Sequence, residues 1–108
     1  MRLLSLTIAC IALAGAAALP LRAAGDPDAG KQKNAMCAGC HGLAGFRTAY
    51  PEVYSVPKLG GQSEAYLVSA LKAYKAGERS HPSMVAIAAS LSEKDMADLA
   101  AYYARGGK

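Results

Sequence analysis

The chain has 108 residues, enough for one small domain, and its opening stretch differs in composition from everything after it. Its formal charge of +4, twelve basic against eight acidic residues, falls to +2 when Arg2 and Arg22 of that stretch are set aside, so no basic stripe is left to argue for nucleic acid. The 53% hydrophobic fraction is inflated by the same stretch, and what remains is a mixed-polarity domain too small to bury a large core, which favours a covalent staple, a metal or a cofactor.

Met1-Arg2 is a short positive start, Leu3 to Leu19 holds only apolar or small residues, and Pro20 interrupts the run. This pattern predicts a signal peptide over 1–23, cleaved after Ala23, with Ala16-Ala17-Ala18 as a second site. The alternative is an uncleaved anchor, since a span takes about 20 apolar residues. Cleavage leaves a domain over 24–108 and removes Cys10, so Cys37 and Cys40 become its only pair of thiols. A helix is expected from Asp26-Pro27, an N-cap acid followed by proline, to about Met36. Gly42 to Gln62, rich in glycine and proline, reads as a long ordered loop that needs something to wrap around. A second helix fits Ser63 to about Ala76, with Leu67, Ala70, Leu71 and Tyr74 on one face and Gly77 as its stop. After His81-Pro82 a short segment, Ser83 to Ala89, leads through Leu91 to a last helix. Ser92 and Asp95 cap that helix, Met96, Leu99, Ala100 and Tyr103 form its stripe, and it ends near Ala104. No segment alternates as a strand would, so the expected class is all-α, with three to five helices and long loops.

The chemistry is carried by Cys37-Ala38-Gly39-Cys40-His41. This C-x-x-C-H sequence is the attachment signature of c-type haem. Two thiols three positions apart on a tight turn can each add to one haem vinyl group, and the next residue then places its imidazole under the iron. A thioredoxin-like pair would want βαβ surroundings, a zinc site would need two more ligands beyond His41 and His81, and a lone Cys37–Cys40 disulfide is the remaining alternative. Export favours haem. For the other face of the iron the chain offers Met36, Met84, Met96 and His81. Met36 adjoins the attachment turn and Met96 lies in a helix stripe, so both read as core. Met84 follows a proline break where a loop could fold over the ring, although Met84, Ile87, Ala88 and Leu91 are also spaced as one helix face. His81, or an open sixth position, is the alternative to Met84.

With these residues, the chain resembles the bacterial class I cytochromes c, in particular one half of the tandem two-haem periplasmic cytochromes and their single-haem relatives. The likeness runs through Gly30, Cys37 to Gly42, Pro57 to Gln62, Tyr66-Leu67, Lys75 to Arg79, Met84, and Leu91 to Tyr103. It implies a small class I cytochrome c fold around one covalently bound haem c, with Cys37 and Cys40 as attachment thiols and His41 and Met84 as axial ligands. It further implies that the Pro57 carbonyl accepts from the free ring nitrogen of His41 and that Gly30 lets the first helix cross the last near Leu99 and Tyr102 or Tyr103. Leu59, Leu67, Leu71 and Ile87 would pack on the haem, and Arg79, Lys58 and Gln62 are candidate propionate partners. A ring of Lys58, Lys72 and Lys75 around the haem edge is a further expectation. The family often carries a second methionine three residues after the distal one, where Ile87 stands here. The function implied is one-electron transfer in the periplasm between redox proteins such as a quinol-oxidising complex, a dehydrogenase or a terminal oxidase, with no catalysis of its own. A fixed subunit of a dehydrogenase or oxidase complex, or a small haem enzyme with an open sixth position, are the alternatives.

Overall fold

The structure is a computed structural model in which residues 25–49 and 53–107 are described, so the expected leader, with Cys10, lies outside the described residues. Among the described residues five helices follow in order: α1 (Pro27–Lys33), α2 (Ala35–His41), α3 (Glu64–Ala76), α4 (Pro82–Ala89) and α5 (Glu93–Ala104). α1 and α3 pack on α5, and α4 packs on α3.

Asp26 caps α1 by accepting from Asp28 N at 2.9 Å, with Pro27 in the first turn as expected. The first helix does not run unbroken to Met36. Asn34, at φ −79° and ψ 0°, drops out of the ladder for one residue, in keeping with an amide side chain's preference for helix ends. The helix then resumes and carries the thiols. Cys37 and Cys40 therefore sit on a helix, one turn apart on one face, rather than on a bare turn. Met36 is 50% exposed there, which corrects its expected place in the core.

α3 ends at Gly77 in the left-handed region at φ +78°, and α5 opens with the full Ser92/Asp95 capping box. The core comprises Leu67, Leu91, Met96, Leu99, Ala100, Tyr102 and Tyr103, with Cys37, Leu59, Val68 and Leu71 packed against it. The α5 stripe is as its periodicity predicts, whereas on α3 only Leu67 is fully buried. The expected all-α class needs one addition. Inside the Gly42–Gln62 loop, β1 (Arg47–Thr48) pairs antiparallel with β2 (Tyr54–Ser55), Arg47 opposite Ser55 and Thr48 opposite Tyr54. Strands of two largely exposed residues show no alternation for a sequence reading to find.

The α1–α5 crossing is held in two ways. A Cβ on Gly30 would stand 2.1 Å from Asp98 O and 2.8 Å from Tyr102 Cβ, so only glycine allows this approach; the partner residues are Asp98 and Tyr102 rather than Leu99. Beside it lies Asp98, 1% exposed, whose carboxylate accepts from Asp26 N at 2.8 Å, Lys33 Nζ at 2.7 Å and Lys94 Nζ at 3.0 Å. Lys33 also pairs with Asp95 at 2.8 Å. A carboxylate taken out of water needs this many donors to stay charged. Lys33, then the Asp26 N–H, hold the Asp98 carboxyl down to about 2, and Lys33 and Ser92 hold Asp95 well below the usual carboxylate range.

Candidate functional site

Cys37, Cys40 and His41 come from α2, and Pro57 and Leu59 from the loop that faces it. His41 Nδ1 lies 2.7 Å from Pro57 O. A carbonyl can only accept, so Nδ1 carries the proton and Nε2 keeps its lone pair free for another partner. Both cysteines are half-buried free thiols. Burial pushes the Cys37 thiol above its ordinary range, with the Tyr103 hydroxyl pulling the other way; Tyr103 itself is pushed up to about 12, chiefly by burial, with Cys37 and Tyr102 adding to it. Leu59 packs against the same core as Cys37. An open groove of about 580 Å³ runs past His41, walled by Asn34, Ala38, Leu59, Gly60 and Tyr103 among others. Met84 is not one of its walls.

Met84 belongs to a different element. It lies in the first turn of α4, half-buried, so the helix-face spacing with Ile87, Ala88 and Leu91 describes its backbone and the expected loop is a helix. Its N–H points to His81 Nδ1 at 3.4 Å, which makes His81 the cap of α4, and the His81 ring meets Tyr54 edge-on with centroids 4.8 Å apart. The rival sixth-ligand candidate thus has one ring nitrogen engaged by backbone.

Two of the three residues offered as propionate partners, Gln62 and Arg79, have partners of their own in this structure. Gln62 Oε1 accepts from Ser63 N at 2.9 Å at the start of α3. Arg79 reaches Tyr66 Oη at 3.4 Å and lies 4.7 Å from the centre of the Tyr74 ring. Lys72 pairs with Glu93 at 3.6 Å, and Lys75 donates to Leu91 O, so both reach toward the α4–α5 corner and do not complete a ring with Lys58. Among the described residues, no three His, Cys, Asp or Glu side chains cluster as a metal-binding group. Sequence reading missed Asp98, Gly25 and Gly60. The i,i+4 spacing of Lys94 and Asp98 was the available signal for the first; the glycine contacts are long-range and leave none.

Two half-buried thiols one helical turn apart, followed at once by an imidazole with one nitrogen committed to a backbone carbonyl, are the donor set of a c-type cytochrome. The cytochrome c family profile matches residues 27–104, and the chain belongs to that family, whose members carry covalently bound haem c and transfer electrons through it. The chain is 45% identical over 83 residues to cytochrome c-554(548) of Halomonas halodenitrificans, a match covering 74% of this chain and 95% of that protein. It is 43% identical over 82 residues to cytochrome c4 of Pseudomonas aeruginosa, a match covering 76% of this chain but only 39% of the relative. The crystal structure of reduced recombinant cytochrome c4 from Pseudomonas stutzeri superposes with a TM-score of 0.56 at 27% identity, over 78% of this chain and 52% of that one. The chain therefore spans about half or less of the cytochromes c4 it matches, and nearly all of cytochrome c-554(548).

Proposed function

We propose that this chain is a periplasmic one-electron carrier, exported by its first 23 residues, in which Cys37 and Cys40 hold haem c and His41 and Met84 are the axial ligands. The observation that carries the reading is the 2.7 Å contact of His41 Nδ1 with Pro57 O, immediately after the two thiols. It fixes the ring's orientation and tautomer, leaves Nε2 as the donor, and strengthens that donor by polarising the Nδ1–H bond. Cys37, packed against the core beside Tyr103, ties the attachment helix to α5. Leu59 packs beside Cys37 and walls the groove that runs past His41, an apolar surface for the haem. Haem supplies a one-electron ferric/ferrous couple when bound, and His/Met ligation sets that couple higher than bis-histidine ligation would.

With both axial positions filled there is no site for substrate, and the protein's task is to present one edge to donor and acceptor proteins in brief contacts burying less than about 1,200 Å². The test is spectroscopic. The oxidised protein is expected to show a methionine-to-iron charge-transfer band that disappears in Met84→Ala, with a fall in reduction potential. An unchanged potential in Met84→Ala would remove Met84 from the iron. Carbon monoxide binding to the native ferrous protein would instead favour an open sixth position. N-terminal sequencing of the exported protein checks the leader, and a retained Met1 would make it an anchor.

A further inference from the structure

The His41–Pro57 hydrogen bond lies in an exposed setting, so burial does not hold it in place. Pro57, Lys58, Gly60 and Gly61 are exposed as well, and the loop they form must be fixed from its two ends. Upstream, Val56 N donates to Phe46 O at 2.9 Å, alongside the β1–β2 pair. Downstream, Gly61 N donates to Tyr103 O at 2.9 Å, and the same carbonyl accepts from Gly106 N at 2.9 Å. Tyr103 O is one of the last carbonyls of α5, which lack donors within the helix, so the loop and the C-terminal turn share an orphan acceptor. They also touch backbone to backbone: a Cβ on Gly60 would stand 2.8 Å from Gly106 O. Gly106 at φ +103° and Gly107 at φ +69° fold that turn back, and Tyr102 Oη secures it by donating to Gly107 O at 2.7 Å.

We infer that the C-terminal turn of α5 positions His41: Tyr103 O and Gly106 hold the Pro57–Gly61 loop, and Gly60 is the positioning residue whose missing side chain lets the two backbones meet. The role rests on His41 being an axial ligand. If the turn moves, the Pro57 carbonyl moves with the loop, the Nδ1 hydrogen bond weakens, and the imidazole becomes a poorer donor to ferric iron. The reduction potential then rises although no group near the iron has been replaced.

The experiment compares Gly60→Ala and Gly106→Ala in the haem-loaded full chain, reading the potential and, by NMR of the ferrous protein, the exchange of the His41 Nδ1 proton. Gly60→Ala is expected to speed that exchange about tenfold, roughly the weight of one hydrogen bond, and to move the potential upward. Gly106→Ala meets nothing within 4 Å and strains only its own φ, so it should act in the same direction by less, and it decides the matter alone if Gly60→Ala fails to fold. Gly25→Ala is the control, because its Cβ would lie 1.9 Å from Ala97 O, at a contact with α5 made by Ala97 and Asp98. Wild-type values in both loop and turn variants, or an equal effect from Gly25→Ala, would overturn the positioning role. His41→Ala separates the two claims. If it keeps the low-spin spectrum, the axial assignment itself fails; if it loses the spectrum while the glycine variants stay silent, only the positioning role falls.

Discussion

The α1–α5 crossing and the Gly42–Gln62 loop are built on opposite terms. At the crossing, Gly30 is buried against the Asp98 backbone and the Asp98 carboxylate is satisfied by two lysines and the Asp26 N–H. In the loop, Leu43 is 55% exposed and Val53 66%, and the chain is held by single directional bonds at Phe46, Pro57 and Gly61. The scaffold that carries the thiols is thus specified by close packing and buried charge, while the segment that aims His41 is specified by a few hydrogen bonds. Substitutions at the crossing should cost stability, and substitutions in the loop should change the iron's electronics with little loss of stability.

The largest expected effect is Gly30→Val, which forces the two helices apart and should cost about 4 kcal/mol, read from the denaturant midpoint of the haem-loaded protein. A loss below about 1 kcal/mol would show that the crossing is looser than its distances imply. Asp98→Asn should cost about 2 kcal/mol, because it removes the charge from the hydrogen bonds that the buried carboxylate accepts from Lys33, Lys94 and the Asp26 N–H. It should also change the acid limb. The Asp98 carboxyl lies lower in the folded chain, at about 2, than the ordinary value near 3.9 in the unfolded one. Its stabilisation is therefore complete above about pH 4 and is lost as the pH falls toward about 2. The slope of stability against pH in that window should flatten in Asp98→Asn, leaving the part owed to Asp95; an unchanged slope would mean that Asp98 is not the group that titrates. Ser92→Ala removes half of the capping box on α5 and should cost about 1 kcal/mol in the same melt.

Most of this division was legible in the sequence, though unevenly. The Gly77 stop, the Ser92/Asp95 cap and the α5 stripe are local patterns that stand where their spacing places them, while the C-x-x-C-H motif, expected on a tight turn, lies on α2. The Pro57 contact with His41 was implied by family resemblance alone, since the two residues stand 16 positions apart and no local pattern links them. The break at Asn34 depends on one residue's φ and ψ, the β1–β2 pair is too short to alternate, and Asp98 sits on a helix face whose burial depends on a distant glycine. Where long-range backbone approach decides the geometry, periodicity has nothing to report.

The smallest effect is expected at Arg79, just past the end of α3. Its guanidinium lies over the Tyr74 ring and reaches Tyr66 Oη, which places it in an aromatic cluster on α3. Such a contact contributes about 0.5 kcal/mol in water. Arg79→Gln should therefore lower the stability by about that much and leave the reduction potential at its wild-type value. A propionate partner would behave differently, because removing a cation from an ionised carboxylate close to the iron favours the ferric state and lowers the potential. A potential that falls in Arg79→Gln but not in Tyr74→Leu would show that Arg79 leaves its aromatic neighbours when haem is attached. It would also add Arg79 to the electronic control otherwise held by the Pro57–Gly61 loop.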